Sequence, residues 1–197
     1  MRLKEMIDLS NFKLTFNRRL LLRVLNFLLF YVGWGFCLTG AITGNPFLGP
    51  IVVAGFLFYH LIQERFRMSE IVMILSLSIL GTLNDTIYLN LGMIDYKAGY
   101  ETIPWLAPLW VTSIWTLFAM SVNHSMVWLR INLVLASVFG AGGGAISYFA
   151  AARVGAAVFH PSIIVVLGVI AVVWAIIMPL IILYGQWLEE YNKRDYD

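Results

Sequence analysis

The chain has 197 residues, of which 60% are hydrophobic and 12% are charged, and its formal net charge is +2. Soluble domains carry about 25% charged residues, so this composition, with a mean hydropathy of +0.82, excludes an ordinary water-soluble globular protein. The positive charges lie at the ends and in the connections instead of forming a basic, aromatic-rich surface, and we therefore expect no nucleic-acid partner.

Six apolar stretches predict an all-α, polytopic membrane bundle. A membrane-spanning helix needs about 20 mostly apolar residues, because the hydrocarbon layer is about 30 Å thick. In chain order, the predicted spans are residues 20–40, 47–62, 71–91, 104–129, 131–152 and 163–184. These spans form one membrane domain over residues 20–184. Residues 1–19 form a basic leader, either lying along the membrane surface or disordered, and residues 185–197 form a short cytoplasmic tail.

The distribution of Lys and Arg predicts the orientation of these spans. All 13 of these residues except Lys97 and Arg153 fall at the ends of the chain or in alternate connections. Because positive residues are retained in the cytoplasm, both termini of this multi-pass protein are expected to be cytoplasmic. A cleaved signal peptide is the alternative for the first span, but the basic leader is long and Arg23 interrupts the apolar run.

One acidic residue, Asp85, lies well inside a predicted span. Ser78, Thr82, Asp85 and Tyr88 recur at helical spacing, so they should share a face that contacts protein or water. Tyr148 in the fifth span reaches a similar depth. Asp85 is therefore either a hydrogen-bonded structural carboxylate or a site for a substrate or proton.

A second set of polar residues is expected near the cytoplasmic side. Asn26, His60, Asn123 and His124 come from three spans and fall at similar predicted depth. Imidazole exchanges protons near neutral pH, and amides bind carbonyl or phosphate oxygens. These four residues, with Asp85 and Tyr148, are the candidate ligand-binding residues. The alternative is that each one satisfies a local backbone or interfacial partner.

The sequence predicts neither a metal site nor a cofactor. His60 and Glu64 have the spacing of one helix face, but the chain has only three histidines, and Cys37 is its single cysteine. Nucleophile-elbow and phosphate-binding glycine motifs do not occur in the sequence. Catalytic residues are therefore unknown, and the sequence does not decide whether the chain is an enzyme.

Small residues form a stripe in the fifth span, where Ala136, Gly140 and Gly144 recur every four residues. Such stripes let helices approach closely. The stripe predicts tight packing inside the bundle, a homo-oligomer contact through Gly140 and Gly144, or a ligand groove.

Several short motifs resemble a family of uncharacterised bacterial six-helix inner-membrane proteins over residues 21–183. They are Asn26, Gly33-Trp34, His60, Asp85, Pro108-Leu109-Trp110, Asn123-His124-Ser125, Trp128-Leu129 and Ser147-Tyr148. Members of that family are often encoded near cyclopropane-fatty-acid-synthase-like enzymes. The resemblance thus implies a link to membrane-lipid modification, which is association and not mechanism.

Three functions follow as hypotheses. The first is a protein that binds membrane lipid or fatty-acyl chains, or assists a lipid-modifying enzyme, through the four cytoplasmic-side residues. The second is a small-solute or proton-linked transporter in which Asp85 carries the proton or cation. The third is a noncatalytic subunit of a membrane complex.

Overall fold

The computed structural model describes residues 2–64 and 67–194, with side chains described in 20–64 and 67–192. Over these residues the chain is α-helical apart from short connecting elements. The helices are α1 (Arg2–Ile42), α2 (Leu48–Gln63), α3 (Met68–Asn90), α4 (Leu109–Val122), α5 (Leu133–Arg153) and α6 (Ile163–Arg194). The connecting elements are the strands β1 (Ile94–Tyr96) and β2 (Ala157–Phe159) and a 3-10 helix at Val127–Ile131.

Four of the helices are long and apolar enough to cross a membrane. These segments are Leu20–Ile42, Met68–Asn90, Leu133–Arg153 and Ile163–Asn192. Their outer faces expose large apolar side chains, including Leu80, Ile146 and Ile164. Water disfavours an apolar surface of this extent, whereas lipid accommodates it, so the helices fit a membrane-embedded protein.

Helix α4 occupies the centre of the bundle. Its 14 residues rise about 21 Å, and 11 of them are buried. It contacts α1, α2, α3 and α6. The predicted span 104–129 was therefore too long, because the backbone remains extended at Pro108 and the helix ends before Asn123, whose side chain bonds to other segments.

Two ends of the bundle gather alternate connections. The strands β1 and β2 pair antiparallel, with Ile94 opposite Phe159, and thereby join the α3–α4 and α5–α6 connections. At the second end, polar contacts join the α2–α3 and α4–α5 connections, as described below. Each polar group of candidate residues lies near one of these junctions.

The small-residue stripe of α5 is covered by α6 of the same chain. A Cβ added at Gly140 would lie 2.6 Å from the backbone oxygen of Trp174, and one at Gly144 would lie 2.4 Å from the Trp174 ring. Close packing inside the bundle therefore accounts for both glycines. A homo-oligomer contact through them stays a prediction.

Both terminal segments continue helices. Helix α1 begins at Arg2, and α6 extends to Arg194, so most of the predicted tail is helical and its Leu188 is buried. The predicted location of the leader on the membrane surface depends on the side chains of residues 1–19, which lie outside the described side chains. Residues 195–197 also lie outside the described part.

Candidate functional site

Three titratable side chains from separate segments meet at the α2–α3 end of the bundle. His60 lies near the end of α2, Glu70 lies in the first turn of α3, and His124 follows α4. His60 Nε2 is 3.2 Å from Glu70 Oε2, and His124 Nε2 is 3.5 Å from the same oxygen. The imidazole rings pack edge to face with centroids 4.9 Å apart. We call these three residues the His-Glu-His cluster.

A chain of polar contacts holds the carboxylate of Glu70 from behind. Asn123 Nδ2 donates to Glu70 Oε1 at 3.0 Å, and Arg130 Nη2 donates to Asn123 Oδ1 at 2.8 Å. Arg130 also donates two hydrogen bonds to Glu189 of α6, at 2.9 and 3.1 Å. This series of hydrogen bonds fixes the orientation of the Glu70 carboxylate, because each group in the series is held by the next.

Asn26 lies on α1 beside the same cluster and is held by its own hydrogen bonds. Its Nδ2 donates to the backbone oxygen of Met120 at 3.1 Å, and Ser125 Oγ donates to its Oδ1 at 2.8 Å. These bonds tie α1 to α4 and to the turn that follows. They give Asn26 a structural role whatever else it contacts.

A cavity of about 180 Å³ lies between α1, α2 and α4. Its apolar wall includes Leu25, Leu29, Phe30, Phe56 and Leu117, and its polar end includes Asn26, His60, Glu64 and His124. The cavity is therefore amphiphilic. Of the four residues expected to share this layer, three line the cavity, and Asn123 lies behind it through Glu70.

Asp85 lies in a separate polar cluster with Tyr148. The carboxylate is 1% exposed and accepts hydrogen bonds from Tyr96, from Tyr148 at 2.8 Å and from Trp115 Nε1 at 2.6 Å. Burial and the nearby carboxylate raise the pKa of Tyr96 well above its ordinary value, so its hydroxyl remains a proton donor. Three donors from three elements favour the structural interpretation of Asp85, because they leave its oxygens occupied.

The rest of the predicted stripe on α3 also faces protein. Ser78 bonds to Thr116, and Thr82 bonds to Thr112, each at 2.8 Å. Trp115 stacks on Trp174 with ring centroids 5.1 Å apart. The polar face of α3 therefore packs against α4, as the helical spacing of its residues indicated.

Glu70 is the main site residue that sequence reasoning missed. It directly precedes the predicted span 71–91 and therefore resembled an interfacial charge. In the structure it is 1% exposed. Arg130 and Glu189 were missed as a pair because their 59-residue separation gives no local signal.

The apolar helices and the two enclosed polar clusters define a membrane-type helix bundle with an amphiphilic cavity. The chain belongs to the family described as "Protein of unknown function (DUF2878)", whose model matches residues 23–180. The match includes both polar clusters and excludes Glu189. No curated protein and no solved structure matches the chain.

Proposed function

We propose that this protein binds a membrane lipid, or another amphiphile with a fatty-acyl chain, in the cavity between α1, α2 and α4. The observation that carries the proposal is that apolar side chains and the polar side chains of Asn26, His60 and His124 line the same cavity. Acyl chains pack against aliphatic and aromatic side chains, and an oxygen-rich head group bonds to imidazole and amide groups. The cavity provides both environments side by side.

The size and position of the cavity fit part of a lipid. An apolar cavity of about 150 Å³ holds a ligand the size of benzene, so a cavity of about 180 Å³ holds a head group or the start of one chain. Leu22 and Tyr59 line the cavity and are each 42% exposed, so the cavity reaches the outer faces of α1 and α2. The remaining acyl chain would lie along these faces.

In this proposal the chain crosses a bacterial inner membrane six times with both termini in the cytoplasm. The alternation of the connections between two ends and the distribution of Lys and Arg support this topology. Helix α4 is short for a span, but neighbouring helices cover it, so it need not match the thickness of the lipid. The polar end of the cavity then lies toward the inner leaflet.

Native mass spectrometry of the protein released from mild detergent tests lipid binding. Leu25→Trp places a larger side chain in the cavity, whereas Leu83→Trp places the same side chain on the exposed face of α3. We expect Leu25→Trp to lose most of the retained lipid and Leu83→Trp to keep it. Equal retention by both variants, with the helical content unchanged, would contradict the proposal.

The resemblance to proteins encoded near lipid-modifying enzymes supports a partner of that class. The protein would then present the bound lipid to an enzyme that modifies acyl chains. The same mass spectra report a stoichiometric second protein if the complex survives purification. A noncatalytic subunit without lipid would instead show the partner and an empty cavity.

A further inference from the structure

From the geometry of the His-Glu-His cluster, we propose that His60, Glu70 and His124 bind a divalent transition-metal ion of the zinc class. Each residue offers one ligand atom, and the three atoms lie within 4.8 Å of one another. Two imidazole nitrogens and one carboxylate oxygen form a ligand set used by catalytic zinc sites, which keep a further position open. The inference concerns the ion and does not require the proposed lipid.

The separations of the ligand atoms fit a tetrahedral ion. Metal–ligand bonds of about 2.0–2.1 Å place neighbouring ligand atoms about 3.3 Å apart. The two histidine-to-Glu70 separations are 3.2 and 3.5 Å. Only the two imidazole nitrogens have to approach each other, by at most about 1.5 Å from the 4.8 Å limit.

The charge and hydrogen bonding of the cluster also favour a cation. Glu70 is 1% exposed, and among the described side chains no Lys or Arg contacts its carboxylate. A buried carboxylate is costly without a positive partner, and the partner here is either a protonated histidine or a bound cation. His124 Nε2 is buried and makes no hydrogen bond, although it lies near that carboxylate. A divalent ion balances the carboxylate and also gives this nitrogen a partner, which protonation of a histidine alone does not do.

The residues behind the cluster resemble the outer shell of a metal site. Carboxylate ligands of metals are usually held by hydrogen bonds to the oxygen that points away from the ion. Asn123 donates to Glu70 Oε1, and Arg130 holds Asn123 in turn. His60 and His124 line the cavity, so an ion bound by them lies beside it.

Zinc titration of the full chain tests the inference. The purified protein is stripped with a chelator and titrated with Zn²⁺ in competition with a chromophoric chelator, and bound metal is measured by elemental mass spectrometry. We expect about one equivalent, and affinity at least about 10-fold weaker in His60→Ala and His124→Ala. His160→Ala is the matched control, since His160 contacts Asp95 of the β1–β2 pair and not the cluster.

A variant behind the cluster keeps the test decisive if a ligand substitution prevents folding. Asn123→Ala should bind Zn²⁺ about 10–100-fold more weakly, because Glu70 loses its orienting donor. Folded wild-type protein that takes up no stoichiometric zinc would overturn the inference. A loss of affinity in His160→Ala equal to that in His60→Ala would overturn it too.

Failure of the ion site and failure of lipid binding are distinguishable in the cavity-filling variant. Leu25→Trp should lose retained lipid and keep its zinc, because Leu25 contacts the cavity and is not one of the three ligands. Wild-type protein that binds zinc and no lipid would support the ion site and contradict the proposed function alone.

Discussion

Removal of the Asp85 carboxylate should destabilise the bundle by an amount that depends on the acceptors that remain. In the structure, Oδ1 accepts from Tyr96 and Tyr148, and Oδ2 accepts from Trp115. Asp85→Ala leaves three buried donors without an acceptor. Each unsatisfied group costs about 1–3 kcal/mol, so we expect the free energy of unfolding to fall by at least about 3 kcal/mol.

Asp85→Asn should cost less, because the amide keeps one oxygen. That oxygen retains both tyrosine hydroxyls, while the amide nitrogen faces the indole N–H of Trp115, a second donor. One mismatched donor predicts a loss of about 1–3 kcal/mol. Trp115→Phe removes this donor, so Asp85→Asn should cost less in the Trp115→Phe background than in the wild type.

Unfolding of the purified variants in mixed detergent micelles measures these differences. Asp95→Asn is the control, because the Asp95 side chain is 64% exposed and its replacement should change stability little. Equal stability of Asp85→Ala, Asp85→Asn and the wild type would refute the account of a carboxylate held by three buried donors. That result would favour a transport role for Asp85.

Two further predictions concern packing and topology. Gly140→Ala should destabilise the protein, since its Cβ would lie 2.6 Å from the Trp174 backbone oxygen, whereas Gly142→Ala meets nothing within 4 Å and should be neutral or stabilising by up to about 1 kcal/mol. Thermal unfolding compares them, and equal losses would contradict the α5–α6 packing. Reporter fusions after the last residue and within residues 64–67 should both report cytoplasm, and fusions within residues 95–101 should report the opposite side of the membrane. The six-span proposal would be contradicted if the fusion after the last residue and the fusion within residues 64–67 reported opposite compartments.

Sequence reasoning located the helical segments and the inward face of α3, because apolar length and helical spacing are local properties. The short length of α4 was missed because the apolar run of 26 residues looks uniform in the sequence. It does not show that only the middle of the run is helical and covered by neighbouring helices. Glu70 was missed because its partners are 10 and 54 positions away, and only tertiary packing brings them together. Tyr96 was missed likewise, because it lies in the connection between α3 and α4 and only the folded chain brings it to Asp85.

Photo-crosslinking from inside the cavity tests the proposed function most directly. A benzophenone amino acid replaces Phe56, which lines the cavity, or Phe58, which is 63% exposed on the same helix, and native membranes are irradiated before adducts are identified by mass. Position 56 should capture one class of amphiphile in excess of its share of the membrane, while position 58 should capture lipids in their bulk proportions. The same bulk mixture at both positions, or no lipid adduct at position 56, would contradict a lipid-binding cavity.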